Sequence, residues 1–240
     1  MKIGFQSSKY NELTLEEELN LTSKENADFF DIFFDEWFPL DISPKESKMI
    51  SDFQRKGFSF TVHLPISTPN LPIEKINCLL DFVCDINPLT TTIHFDNLTF
   101  PFMEYLAKKT ENHTILSIEN TIPDKNAKTG EKYVDFMTKA AKIAPVQATF
   151  DTGHCYVNKA DLIETVSALC EGQIQISTVH AHDNFGTKDS HSPIGEGSID
   201  FPTFFQFLKI QKQNPLIVIE HWNKNLLSLN RIKSILKNIE

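Results

Sequence analysis

The sequence predicts an α/β fold, a single closed (β/α)8 TIM barrel in one domain over residues 1–240. Three observations predict it. Short β-rich apolar runs recur eight times, a helix-like segment follows each run, and no shift in composition divides the chain. The runs are Lys2–Gln6, Asp31–Asp35, Phe58–His63, Thr91–Phe95, Ile115–Glu119, Val146–Asp151, Ile176–His180 and Leu216–Glu220. Their last residues lie 24 to 40 residues apart, mostly near 30, which suits one strand, one crossover helix and two connections. An open doubly wound sheet usually has fewer strands and a glycine-rich phosphate turn after the first, whereas Gly4 stands alone in that region.

The helices carry their own signals. Thr14-Leu15-Glu16-Glu17 is a capping-box pattern, and Ser43-Pro44-Lys45-Glu46 sets a cap before a proline in the first turn. Leu71-Pro72-Ile73-Glu74 opens a third helix with Ile76, Leu79, Leu80 and Val83 on one face. The remaining helices are expected at Pro101–Thr110, Glu131–Ile143, Lys159–Cys170, Phe201–Lys212 and Leu226–Ile239. The longest connection, Ala181–Asp200, follows the seventh strand, and long connections of this kind are often functional.

Composition narrows the function. Apolar residues are 40% and charged residues 23% of the 240, as in a soluble globular protein. No run approaches the roughly 20 apolar residues of a membrane span, and the N-terminus lacks a signal-peptide pattern. Cys78, Cys84, Cys155 and Cys170 form no CxxC pair and read as free thiols, so a cytoplasmic protein is expected. The net charge is −9 and the arginines are only Arg55 and Arg231, which argues against a nucleic-acid partner and for a small molecule. A homo-oligomer is compatible with this reading. The 20 phenylalanines read as core and helix-face residues.

Six consecutive strand runs carry a His, Asp or Glu at or near their ends: His63, His94, Glu119, Asp151, His180 and Glu220. In a parallel barrel these ends converge on one face. His154 follows Asp151 by three residues, His182 follows His180 by two, and Asp189 and His191 sit in the next loop. Any one of them alone reads as a capped or solvated side chain. Converging from several strands, carboxylates and imidazoles suit a divalent metal (Zn, Mn, Co or Mg), held at least by Glu119, Asp151, His180 and Glu220. His182 points inward if the seventh strand continues that far, where it donates to a ligand or to the substrate. His221 should face away from the barrel axis, and Trp222 should return to it, either flooring a sugar-sized pocket or packing as core. The glycines of Gly195-Glu196-Gly197 permit close approach to the metals or a simple tight turn, with Glu196 expected to partner a ligand. The loop Thr121–Lys132, with Asp124, Lys125, Lys128 and Lys132, reads either as a cover that meets a phosphate or as a solvated charged loop.

In order and spacing, IENT (118–121), DTGH (151–154), HAHDN (180–184), DSHSPIGEGSIDF (189–201) and IVIEHW (217–222) resemble the xylose-isomerase-like TIM-barrel superfamily. That superfamily contains sugar phosphate isomerases and epimerases and the endonuclease IV family, also called AP endonuclease family 2. The resemblance to the epimerases implies one divalent metal on Glu119, Asp151, His180 and Glu220. It makes Glu119 and Glu220 the catalytic acid/base pair and puts His154 against the substrate. The resemblance to endonuclease IV implies up to three zinc ions held by His63, His94, Glu119, Asp151, His154, His180, Asp189, His191 and Glu220. All nine of those positions are filled.

The expectation is therefore a metal-dependent isomerase or epimerase of a small sugar, polyol or sugar phosphate, with one to three ions. The alternative is an endonuclease IV-type multi-zinc phosphoesterase. Two departures weigh on these readings. Ala181–Gly186 lacks the arginine that single-metal epimerases usually carry after the strand-seven histidine. Leu64-Pro65-Ile66 lacks the aromatic that the DNA enzymes carry after the strand-three histidine.

Overall fold

The computed structural model describes residues 1–7, 13–34, 41–96, 98–122, 130–221 and 223–239. Eight strands, β1 (Ile3–Gln6), β2 (Phe29–Phe33), β3 (Ser59–His63), β4 (Thr90–His94), β5 (Ile115–Glu119), β6 (Gln147–Asp151), β7 (Ile176–Ala181) and β8 (Leu216–Ile219), close into a barrel in chain order. Every neighbouring pair is parallel, and β1 pairs with β8 to complete the ring. The helices are α1 (Leu15–Lys24), α2 (Pro44–Arg55), α3 (Ile73–Ile86), α4 (Phe100–Thr110), α5 (Gly130–Ala140), α6 (Thr152–Val157), α7 (Leu162–Glu171), α8 (Phe201–Ile210) and α9 (Asn225–Asn238). Among the described residues, no helix is long and apolar enough to cross a membrane.

The two capping boxes form as the sequence predicts. Thr14 and Glu17 exchange side-chain and backbone bonds at the start of α1, and Ser43 and Glu46 do so at α2, with Pro44 in the first turn. Differences arise at two places. The second strand starts and ends two residues earlier than the Asp31–Asp35 run, because Phe29 pairs with Gly4. A Cβ on Gly4 would overlap the Phe29 ring, so this glycine supplies space rather than an unusual backbone conformation. The expected helix at Lys159–Cys170 forms as α7, and an additional helix that the sequence pattern did not signal precedes it. A six-residue helix, α6, begins directly at the end of β6, where the Asp151 side chain accepts from the His154 N–H.

Alternation along the strands separates two environments. Val62, Ile93, Ile118, Phe150, Val179 and Ile219 face the surrounding helices and are fully buried. The intervening residues face the barrel axis, and many are hydroxylic. Thr90 meets Thr178 at 3.1 Å, Thr92 meets Thr149 at 3.0 Å, Thr149 donates to Ser117 at 2.6 Å, and Ser117 meets Ser177 at 2.7 Å. On the other side Asp31 accepts from Thr61 at 2.6 Å and from Gln6 at 3.2 Å. This hydroxyl lattice fills the interior beneath the C-terminal ends of the strands, where bulky aliphatic layers are commoner.

Gly4→Ala is expected to destabilise the protein by about 1–3 kcal/mol, because the new methyl must displace a packed ring. Phe29→Leu in the same chain should recover part of that loss. Urea unfolding midpoints of the two variants test this, and an unchanged midpoint for Gly4→Ala would show that the ring is not confined there.

Candidate metal centre

The strand alternation that builds the interior also delivers a cluster of carboxylates and imidazoles to the C-terminal mouth. Glu119, the last residue of β5, is fully buried at its centre. Its Oε2 lies 2.8 Å from His63 Nε2 and 3.4 Å from His94 Nε2. Its Oε1 lies 3.2 Å from His180 Nδ1 and 3.4 Å from His154 Nδ1. His180 Nδ1 is also 3.0 Å from Glu220 Oε2, a buried oxygen that accepts no hydrogen bond. Two groups follow from this packing, His63–Glu119–His180 and Glu119–Asp151–His180–Glu220. In each, one ligand-type atom per residue lies within 4.8 Å of all the others.

A further group, His154–His182–Asp189–His191, lies alongside and meets the same distance limit. One or other Asp189 oxygen lies 2.9 Å from His191 Nε2, 3.5 Å from His154 Nε2 and 3.6 Å from His182 Nδ1. The rings of His182 and His191 stack in parallel, 4.0 Å between centroids.

Local structure explains how these side chains are held. Asn120 clamps β6 beside β5: its Oδ1 accepts from the Asp151 N–H and its Nδ2 donates to the Asp151 carbonyl, both at 2.8 Å. Tyr133 donates to the Ile118 and Thr149 carbonyls, tying α5 to the same two strands. Gly153 leaves room for the His182 imidazole, which a Cβ at that position would overlap. His191 has a left-handed backbone, φ 42°, a conformation that histidine adopts more readily than most residues. Asp183 is fully buried and accepts from the backbone N–H groups of Asn184, Gly195, Gly197 and Ile199.

That last feature corrects an expectation. The Gly195-Glu196-Gly197 glycines close on the Asp183 carboxylate rather than on metal ligands, and a Cβ on Gly197 would overlap it. Glu196 pairs instead with Lys224 Nζ at 2.9 Å. Sequence reasoning missed Asn120 and Asp183 as positioning residues. Both stand inside motifs it singled out, but their roles are visible only through backbone groups they meet across the fold.

The structure brings together all nine expected metal-ligating positions, His63, His94, Glu119, Asp151, His154, His180, Asp189, His191 and Glu220, and adds His182. His182 lies one residue past β7, fully buried, with Nε2 3.2 Å from Asp151 Oδ2. His221 turns from the axis toward α9, with Nε2 2.6 Å from Ser228 Oγ. Trp222, Asp124, Lys125 and Lys128 lie outside the described residues.

Burial and charge oppose each other here. Burial alone would raise the Glu119 and Glu220 pKa values, but His180 and the neighbouring imidazoles hold both well below the usual carboxylate range. Burial would lower His154 and His180, yet the facing carboxylates raise both well above the ordinary imidazole value. His94 goes the other way: burial takes it down to about 3. For His191 the Asp189 hydrogen bond and nearby Glu220 outweigh burial and push it up to about 9. Without a metal the cluster is therefore a set of buried carboxylates neutralised by protonated histidines.

Comparison with known proteins follows the same lines. A family model described as a xylose isomerase-like TIM barrel matches residues 96–240. The uncharacterised protein MJ1311 of Methanocaldococcus jannaschii is 26% identical over 266 aligned positions, covering 99% of this chain and 88% of that one. A D-tagatose 3-epimerase-like protein superposes with a TM-score of 0.80 at 22% identity, covering 100% of this chain and 98% of the other. The IolI protein, described with a bound zinc atom, gives 0.75 at 13% identity, covering 100% and 98%.

A pH dependence follows for the metal-stripped protein. His191 has a folded pKa of about 9 against about 6.5 when unfolded. Its stabilising contribution is thus full below about pH 6.5 and is lost as pH rises through its folded value. The melting temperature of metal-stripped protein should fall across that window. A melting temperature that holds or rises there would contradict the charge-paired arrangement.

Proposed function

The chain belongs to the xylose isomerase-like TIM-barrel family, and from that premise we propose that it is a divalent-metal-dependent isomerase or epimerase of a small sugar, polyol or sugar phosphate. The observation that carries this reading is the pair of buried carboxylates, Glu119 and Glu220. They face each other across His180 Nδ1, at 3.2 and 3.0 Å, with Asp151 completing the group. The residues fit a resident ion: Glu220 Oε2 is enclosed without a hydrogen bond, and three carboxylates with one imidazole suit Mn, Co, Zn or Mg. Glu119, Asp151, His180 and Glu220 would hold it. When bound, it acts as a Lewis acid toward substrate oxygens.

The chain's own groups then account for the proton transfers. Glu119 and Glu220 are kept ionised by the surrounding imidazoles, so each is available as a base. One of the two accepts the proton from the carbon beside the substrate carbonyl. In epimerisation the other glutamate first takes up a proton from solvent and delivers it to the opposite face of that carbon; in isomerisation the abstracted proton is returned to the adjacent carbon. The apolar shell of Ile118, Phe150, Val179 and Ile219 behind the strands keeps the pair from drifting apart. His154, whose side chain keeps 10% exposure, contacts substrate where no ion occupies the neighbouring group, and Trp222 is proposed as the floor from its sequence position.

A second reading, a multi-zinc phosphoesterase, is favoured by one observation. His63 and His94 both address Glu119 Oε2, and the Asp189 group lies alongside, more ligand positions than a one-metal site requires. Phosphoester hydrolysis by clustered ions uses such sets.

Glu119→Gln and Glu220→Gln should each lower turnover by about 10²–10⁴-fold. The assay incubates metal-replete protein in deuterated water with ketoses, aldoses and their phosphates, and follows deuterium at carbon by NMR. Exhaustive chelation should abolish exchange and metal should restore it, and full activity after chelation would defeat the reading. Hydrolysis of abasic-site DNA or a small phosphodiester, with no carbon exchange and with loss in the Asp189→Ala, His191→Ala double variant, would move the assignment to the second reading.

A further inference from the structure

At or just past their C-terminal ends, seven of the eight strands turn a polar or ionisable side chain to the barrel axis: Gln6, His63, His94, Glu119, Asp151, His180 and Glu220. The exception is β2, which brings Phe33. Its direction follows from alternation along the strand. Asp31, two residues earlier, points to the axis, where it accepts from Thr61 and Gln6. Phe33 shares that side and is level with His63, its partner in the β2–β3 register.

Ile32 and Phe34 point outward and are enclosed among the helices, whereas Phe33 keeps part of its surface. Phe29 and Asp31, both buried, occupy the side of β2 beneath it, so the surface that Phe33 keeps opens to the mouth. The strand end is fixed on both edges. Ser7 Oγ accepts from the Phe33 N–H at 2.9 Å, and the Phe34 N–H donates to the His63 carbonyl at 3.0 Å. The Phe33 ring meets the His63 imidazole at 4.7 Å between centroids, with the planes 75° apart. His63 Nε2 in turn lies 2.8 Å from Glu119 Oε2. One imidazole therefore separates an accessible aromatic ring from a carboxylate that the proposed reaction uses.

A single apolar residue on an outer surface needs no explanation. A ring held among polar groups where eight strand ends converge is a different matter, and a sugar matches that mixture. Its hydroxyls suit the carboxylates and imidazoles, and its carbon-bound hydrogens suit the ring. A phosphate in the same place would shed water against a ring that offers it no hydrogen bond and whose π face repels anions. We propose that Phe33 is a substrate-contact residue, and that the substrate is an unphosphorylated sugar whose carbons beyond the reacting centre lie against its ring. This rests on the isomerase or epimerase reading above and narrows its substrate class.

The test uses the full chain loaded with whichever of manganese, cobalt, zinc or magnesium gives the fastest exchange. Ketoses, aldoses and their phosphates are compared by deuterium incorporation at carbon, and bound metal is measured by elemental analysis. The wild type should show a higher kcat/KM for a free sugar than for its phosphate. Phe33→Ala should raise KM for that free sugar about tenfold, with kcat and metal content little changed, the signature of lost uniform binding. Phe33→Tyr should restore the wild-type KM, and Phe33→Leu should recover only part of it. Should Phe33→Ala not fold, the comparison of Phe33→Leu with Phe33→Tyr decides. The proposal is overturned if the wild type prefers the phosphate, or if removing the ring leaves KM unchanged. A fall in kcat with loss of metal and no change in KM would assign Phe33 to shielding the His63–Glu119 contact, and would overturn it equally. A wild type that exchanges no carbon-bound hydrogen with any of these sugars would bring down the isomerase or epimerase reading itself, and this proposal with it.

Discussion

The fold is organised around an electrostatic demand: four carboxylates, Glu119, Asp151, Asp189 and Glu220, sit in or at the edge of a barrel interior that water barely reaches. Burying one unpaired carboxylate costs several kcal/mol, and burying several together multiplies the repulsion. The chain answers with six imidazoles from β3, β4, α6, the end of β7 and the β7–α8 loop. Histidine suits this demand because it offers either a proton or a lone pair on the same atom. The metal-free cluster uses the protons, which is why His154, His180 and His191 are driven upward while His94, less well placed, stays neutral. On the proposed metal-binding reading a divalent ion would replace those protons, so that binding would be a proton exchange rather than the filling of an empty space.

Such an exchange needs ligands that do not move, and the barrel interior supplies the stiffness. Thr90, Thr92, Ser117, Thr149, Ser177 and Thr178 form cross-barrel hydrogen bonds directly below the mouth. Hydroxyls on facing strands fix the distance between strands through short directional contacts, where aliphatic packing would tolerate sliding. Outside the strands, the helix-facing Ile118, Phe150 and Val179 are fully enclosed. Glu119, Asp151 and His180 are thus each one residue beyond an anchored hydrophobic residue and two beyond a bonded hydroxyl.

Much of this was legible in the sequence. The period near 30 gave the eight strand–helix units, and the Thr14 and Ser43 caps gave two helix starts, because those signals are local. The site residues were legible for a related reason: in a parallel barrel a strand's end is a place on the mouth, so position along the chain becomes position in space. What escaped was contact between distant segments. The early start of β2 depends on Phe29 lying over Gly4, and neither residue signals the other. The role of Asp183 depends on four backbone N–H groups, three of them 12 to 16 residues downstream, and the turn that gathers them carries no periodicity to read. His182 was legible as an inward residue but not as a partner of Asp189, since the loop that delivers Asp189 has no regular structure.

The arrangement of the outer histidines gives this loop a mechanical meaning. Each of the three donates its second N–H to a group at or next to an inner ligand: His154 to the carbonyl of Asn120, the residue after Glu119; His182 to the Asp151 carboxylate; His191 to the Glu220 carbonyl. The outer group therefore buttresses three of the four inner positions at once. Anything that draws the outer imidazoles toward Asp189 fixes their rings, and fixed rings hold Glu119, Asp151 and Glu220 through bonds already in place. The loop is itself held from the other side by Asp183, so it is gripped at both ends, by a carboxylate on its glycines and by imidazoles on its Asp189. The N–H groups of the outer histidines are engaged by oxygens at or beside the inner residues, and on the proposed reading proton transfer falls to the two glutamates that this buttress keeps in register.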